Sequence, residues 1–182
     1  MAKVYLINKN LFDKNQINYS NMNKKRMDYL EKLSAESKIN SFLAWKLLKY
    51  VSYKEYDLDI DQLVLNYNEY GKPFFDEFKF SISHSDQYIA VGISKSKIGV
   101  DVQKINSNID VIKFASKTNC SEELIAVYKR FSSLEAYYKK IGCGLKPSLL
   151  KNKVEIQHQE IIDGKYMFTI CSDEAIEKII KR

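Results

Sequence analysis

The stretch Lys79 to Gln103, KFSISHSDQYIAVGISKSKIGVDVQ, decides how this chain is read. Apolar and polar residues alternate over Lys79 to Ser83, Tyr88 to Ser94 and Lys97 to Gln103. A period of two belongs to strands, so the stretch reads as a meander of short strands joined by turns. In the last of them Ile98, Val100 and Val102 share one face, and Asp101 and Gln103 share the other. A carboxylate and an amide oxygen two residues apart on a strand point into the same space. That suits a hard cation such as Mg²⁺, and taken alone it also suits a plain solvated strand face.

Helical spacing dominates on the N-terminal side. From about Met22 to Val51, Leu30, Leu33, Ile39, Phe42, Leu43, Leu47 and Tyr50 recur at steps of three and four, with a break near Ser34 that predicts two helices. Leu63, Leu65 and Tyr67 then alternate into a turn at Glu69 to Pro73. On the C-terminal side, Ile109 to Ser116 reads as a short helix. Ser121 to Ile141 reads as a long one, with Ser121 as N-cap, Glu122 and Glu123 in the first turn, and Gly142 and Gly144 ending it. Val154 to Glu160 and Lys165 to Ile170 predict a hairpin across Asp163-Gly164. Helix followed by strands in each half suggests an α+β chain of two similar lobes, 1–95 and 96–182, with no linker at the seam.

Composition narrows the class. A chain of 182 residues with 45% apolar residues buries a real core, and 6 Gly and 2 Pro leave little for linkers or low-complexity tracts. No apolar run approaches a membrane span, and Lys9, Asp13 and Lys14 interrupt the N-terminal stretch, so the expectation is a cytoplasmic protein with no membrane partner. Cys120, Cys143 and Cys171 are too widely spaced for a zinc site or a disulfide framework. The net charge of +6 favours an anionic partner. Arg26, Arg130 and Arg182 are the only arginines, which speaks against nucleic acid, where guanidinium is the usual reader.

Four groups of residues can carry chemistry. Asp101 and Gln103 are the first. Glu135 is the second: by spacing it shares a stripe with Leu124, Tyr128, Phe131 and Tyr138 on the long helix, so it needs a cation, either Lys139 one turn later or a metal shared with Asp101. Ser81 to Ser85, SISHS, concentrates hydroxyls and an imidazole at a strand end, where they cap a turn or bind phosphate oxygens. Tyr70-Gly71-Lys72-Pro73 is a turn offering a charge. No Walker or dinucleotide fingerprint is present, and neither His84 nor His158 sits in a nucleophile motif. Oxygen ligands together with lysines point to phosphoryl-type chemistry done by positioning and charge neutralisation.

Taken in order, Gly71-Lys72-Pro73, Ser81-Ile82-Ser83-His84-Ser85, Ile98-Gly99-Val100-Asp101-Val102 and Leu134-Glu135-Ala136-Tyr137-Tyr138-Lys139 make the sequence resemble the 4'-phosphopantetheinyl transferases of the Sfp type. The resemblance covers about Lys24 to Leu145. It implies a monomer of two pseudo-symmetric α/β lobes with coenzyme A and Mg²⁺ between them. It also implies transfer of the phosphopantetheine arm to a serine of an apo acyl or peptidyl carrier protein, as in holo-acyl-carrier-protein synthases, with release of adenosine 3',5'-bisphosphate. By position, Asp101 and Glu135 look like metal ligands, with Gln103 beside them, and Glu135 like a base toward the serine. Lys139 resembles the lysine that neutralises the phosphates. Ser83 and His84 match positions at the coenzyme A phosphates, and Tyr70 to Phe75, including Gly71, Lys72 and Pro73, match the segment around the adenine nucleotide. Lys25 and Lys38 align with basic residues at the 3'-phosphate. Three departures stand out. Gln103 replaces a Glu and Phe131 a Trp. Leu134 replaces a Lys, which is expected to remove a cation near the phosphates and leaves open a degenerate member that binds without catalysis.

Overall fold

A computed structural model describes residues 1–12 and 24–182, apart from the side chain of Lys25. Strand β1 (Ala2–Asn8) lies between β5 (Tyr88–Ser94), antiparallel to it, and β9 (Ile176–Lys181), parallel to it, and β4 (Lys79–Ser85) completes a four-stranded sheet. A second sheet has the order β6-β8-β7, from β6 (Ile98–Lys104), β8 (Tyr166–Ser172) and β7 (His158–Ile162), all antiparallel. β2 (Asn66–Tyr67) and β3 (Pro73–Phe74) form a small ladder of their own. The helices are α1 (Lys24–Leu30), α2 (Ala35–Tyr56), α3 (Val111–Thr118) and α4 (Leu124–Ile141). The protein is thus mixed α/β with several sheets. Its last strand, β9, sits beside β1, so a segment from the end of the chain completes the sheet built by the first half. Among the described residues no helix is long and apolar enough to cross a membrane.

Local signals account for most boundaries. The break at Ser34 is an N-cap: its hydroxyl accepts from the Ser37 N–H at 3.4 Å and α2 starts at the next residue. The β7–β8 hairpin turns through Asp163 and Gly164, both left-handed at φ 51° and 64°, which is why an Asp-Gly pair serves there. Two expectations need correction. The alternation at Leu63 to Tyr67 yields a strand only at Asn66–Tyr67. Helix α4 begins at Leu124, so Ser121 is not its cap and Glu122 and Glu123 precede the first turn; Glu123, extended at φ −112°, makes no side-chain cap bond.

β5 departs from the half-polar alternation read in its sequence, because all seven of its residues are buried. Ile89, Val91 and Ile93 join Phe42, Leu48, Phe75, Phe78 and Phe80 in a core under α2. Tyr88 and Ala90, from the opposite face, join Val4, Leu6, Val100, Phe168 and Ile170 in a second core. A strand covered on both faces has no solvated side to advertise.

The seam between the sheets positions the site. β6 is the edge of its sheet, and its outward N–H groups need acceptors. They find them in the SISHS segment of β4: Val100 N–H donates to Ser81 Oγ at 3.0 Å, Val102 N–H to Ser83 Oγ at 3.2 Å and Lys104 N–H to Ser85 Oγ at 2.8 Å. Every second residue of β4 thus caps the edge of β6 with a hydroxyl.

Candidate functional site

Gly99 lets helix α4 lie directly on β6. A Cβ at that position would stand 1.9 Å from the Ala136 carbonyl oxygen and 2.5 Å from the Lys140 nitrogen, so any side chain would push the helix away. Ser132 Oγ donates to Thr169 Oγ1 of β8 at 2.9 Å and seats the same helix. The buried residues of α4 are Val127, Ser132, Ser133, Leu134, Ala136 and Tyr138, whereas Leu124, Tyr128 and Phe131, expected on the inner stripe, are only partly covered. Leu134 is wholly buried. The leucine at this position packs into the interior and brings no charge to the cleft.

This close contact gathers Asp101, Glu135 and Lys139. Asp101 is fully buried, and its Oδ1 accepts from Lys139 Nζ at 2.7 Å, Ser83 Oγ at 3.1 Å and Gln103 Nε2 at 3.2 Å. Its Oδ2 is buried with no hydrogen-bond partner. Glu135 is partly buried beside it: burial raises its carboxyl pKa, Lys139 opposes the rise and Asp101 adds to it. Lys139 therefore pairs with Asp101 across the strand–helix contact, and Glu135 faces both. Gln103 turns its amide NH₂ toward Asp101, and a half-turn of the amide would present the oxygen instead.

In front of this group opens a cleft of about 520 Å³. Its walls come from α1, α2, the turn before β3, β4 and the end of α4, and Ser83, His84, Gln103 and Lys139 line it together with Tyr70, Gly71, Lys72 and Pro73. Arg26 and Lys139 give the lining its charge, the Lys72 ammonium being held by the backbone carbonyls of Ile98 and Lys139, and among the described residues no Asp or Glu lines it. Such a cleft favours a polyanion. His84 is exposed on the wall, and the crowding of the wall, then Lys139, Lys9 and Arg26, hold its pKa below the usual histidine value. Ser83 has little to offer a ligand, since its hydroxyl already serves Val102, Asp101 and Lys139. Lys38 does not line the cleft, and the Lys25 side chain lies outside the described residues.

Arg26 is the functional candidate that sequence reasoning missed. Its guanidinium is sandwiched between the rings of Tyr29 and Trp45, 4.7 and 4.9 Å from their centroids. It donates to the Ser41 hydroxyl and to the Ser41 carbonyl at 3.3 Å, while its Nε is buried without a partner. A signal existed: an arginine in an arginine-poor chain, three residues before a tyrosine on the same helix face.

The residues fit a divalent cation on one structural ground. A buried, unpartnered carboxylate oxygen beside a second carboxyl is an arrangement that a cation completes. Among the described residues no group of three or more His, Cys, Asp or Glu is assembled, so Asp101 and Glu135 would need amide, water or ligand oxygens to fill a coordination shell.

No protein-family model matches the chain. It is 28% identical over 152 residues, 75% of its length and 63% of the relative's, to the 4'-phosphopantetheinyl transferase gsp of Aneurinibacillus migulanus. It is 29% identical over 127 residues, 63% of its length and 56% of the relative's, to the 4'-phosphopantetheinyl transferase Sfp of Bacillus subtilis strain 168. A further Bacillus subtilis 4'-phosphopantetheinyl transferase is 30% identical over 112 residues, 54% of this chain and 50% of the relative. The matches span between half and two thirds of the length of these relatives. The chain is similar to the family that its motifs resemble.

Proposed function

We propose that this protein is an Sfp-type 4'-phosphopantetheinyl transferase that moves the phosphopantetheine arm of coenzyme A onto a serine hydroxyl of an apo acyl or peptidyl carrier protein. The observation that carries the reading is the pairing of an acid-free, cationic cleft with Asp101 and Glu135 behind it, one carboxylate oxygen of Asp101 being buried and unsatisfied. The serine oxygen forms a bond to the β-phosphorus of coenzyme A, the bond from that phosphorus to the bridging oxygen breaks, and adenosine 3',5'-bisphosphate leaves with the electron pair. Glu135 takes the serine proton. Lys139 Nζ, engaged by Asp101 and Ser83 and still 29% exposed, has a proton left for the leaving phosphate. Arg26 on the cleft wall supplies charge for the 3'-phosphate, while Tyr70, Gly71 and Pro73 flank the adenine. Asp101 and Glu135, with the Gln103 amide oxygen, would hold Mg²⁺, which would supply charge neutralisation on the pyrophosphate.

We read the two sheets with their helices as the family's two pseudo-symmetric lobes, divided near residue 95 except that β9 returns to the first sheet, and the protein as a cytoplasmic monomer. The net charge of +6 speeds encounter with an acidic carrier protein. Asp101, Glu135 and Lys139 lie together, a set that a binder without catalysis does not need. The test is incubation with coenzyme A, Mg²⁺ and a panel of apo carrier proteins, read by intact-mass spectrometry and repeated with EDTA. A metal-dependent gain of one phosphopantetheine is expected. Coenzyme A binding with no gain on any carrier would replace this reading with that of the binder.

A further inference from the structure

We infer that Lys72 is a positioning residue and not a ligand of the donor's phosphates: its ammonium pins the turn at the cleft rim to the C-terminal end of α4 and so sets where Glu135 and Lys139 stand. The inference rests on the transfer reading only for what those two residues do. Lys72 Nζ donates to the Ile98 carbonyl of β6 at 3.0 Å, to the Lys139 carbonyl, and to the Lys140 carbonyl at 3.5 Å. An ammonium has three protons, and these three acceptors use them all. Two of the acceptors belong to the last turn of α4, where carbonyls have no partner within the helix and the helix dipole is negative. Among the described residues no carboxylate contacts this lysine. Burial, then Lys97 and Lys139, push its pKa down to about 8, which marks a side chain turned inward and not one reaching for solvent.

A second staple lies beside the first. Asn68 Nδ2 donates to the Gly142 carbonyl at 3.0 Å, while its Oδ1 accepts from the Tyr70 N–H at 3.0 Å and the Lys72 N–H at 2.8 Å. Gly142 closes α4 at φ 89°, and a Cβ on it would stand 2.6 Å from Asn68 Nδ2 and 3.0 Å from Lys72 Cδ. The glycine that ends the helix therefore also admits the turn. One rim of the cleft and the helix bearing the reactive groups move as a single piece. Lys139 differs from Lys72 in this respect, since its ammonium keeps a proton for the cleft.

Lys72→Met keeps the stem and removes the ammonium. In the full chain it should cut kcat about tenfold or more, the scale for misplaced catalytic groups. The Kd for coenzyme A should stay within about twofold of wild type, with its salt dependence unchanged, because no phosphate contact is lost. A Kd weakened about tenfold with kcat kept and a shallower salt dependence would overturn the inference in favour of a phosphate contact. Asn68→Ala loosens the same joint while leaving every cleft cation in place, and it should show the same kcat-weighted loss; unchanged kcat would overturn the inference even if Lys72→Met did not fold. Hydrogen exchange supplies a readout free of catalysis: either variant should lose protection together over residues 68–72 and 139–144. Protection unchanged in both segments would overturn the inference. A wild-type chain that modifies no carrier would sink the transfer reading alone, and joint loss of protection would still establish the tether.

Discussion

Glu55 near the end of α2 and Asp101 in the middle of β6 are both carboxylates drawn below the surface with an ammonium close by. Glu55 Oε1 accepts from the Tyr5 hydroxyl and from Lys178 Nζ at 3.0 Å, and its Oε2 accepts from Lys3 Nζ at 3.2 Å. Every one of its contacts ties α2 to β1 or β9, and both oxygens are used. Asp101 crowds three donors onto Oδ1 and leaves Oδ2 buried with none, beside the second carboxyl of Glu135. Burial alone would raise the Glu55 pKa, but the Tyr5 hydrogen bond and the two lysines outweigh it and hold it at about 2. Burial of Glu135 outweighs the opposing Lys139 and, with Asp101 adding to it, raises its carboxyl pKa. The same residue types make a closed joint where all acceptors are matched, and a reactive centre where one is left over.

Exchanging the charge at each centre should separate the two roles. Asp101→Asn is expected to lower transfer by about 10²–10³-fold, the cost of removing a group that stabilises developing charge, while thermal melting stays near wild type. Retained transfer would mean that the two carboxylates do not differ in kind. Glu55→Gln should do the reverse, keeping transfer and losing about 2 kcal/mol in denaturant unfolding at neutral pH, the scale of hydrogen bonds to a charged group. Because folded Glu55 titrates at about 2 against an ordinary 4.5, its stabilisation is complete above about 4.5 and disappears as pH falls toward 2. The wild-type stability curve should drop through that window and the variant's should be flatter; parallel curves would break the comparison. The smallest effect is expected for Gln103→Glu, which replaces an amide donor to Asp101 by a third carboxylate. It should reduce the Mg²⁺ concentration for half-maximal transfer by a few-fold, and an unchanged value would mean that position 103 does not reach the ion.

Some of this was legible in the linear order of residues and some was not. Ser34 as a cap, the Asp163-Gly164 turn and the strands around 79–104 depend on local chemistry, and local chemistry reads well from sequence. The inner stripe that spacing predicts for α4 holds at Tyr138 but not at Leu124, Tyr128 and Phe131, because the buried face also carries Ser132, Ser133 and Ala136, which give almost no apolar signal. Those residues are inward because Thr169 and Gly99 meet them there, and neither partner can be seen from within the helix. Arg26 does not stand out from neighbouring lysines in the sequence, since the aromatic sandwich that holds it needs Trp45 from another helix.

By itself the sequence determined the alternation of helix and strand, the excess of positive charge and the order of four short motifs, because each of these is a property of neighbouring residues. Tertiary structure decided what the charges do. Lys139 meets Asp101 where the sequence offered Glu135 one turn away, and Lys72 turns from the cleft to a helix end. Leu134 turns to the core. An ionic partner is chosen by which acceptor lies within about 3 Å and what burial costs the alternatives, and those distances exist only once β6 has packed on α4.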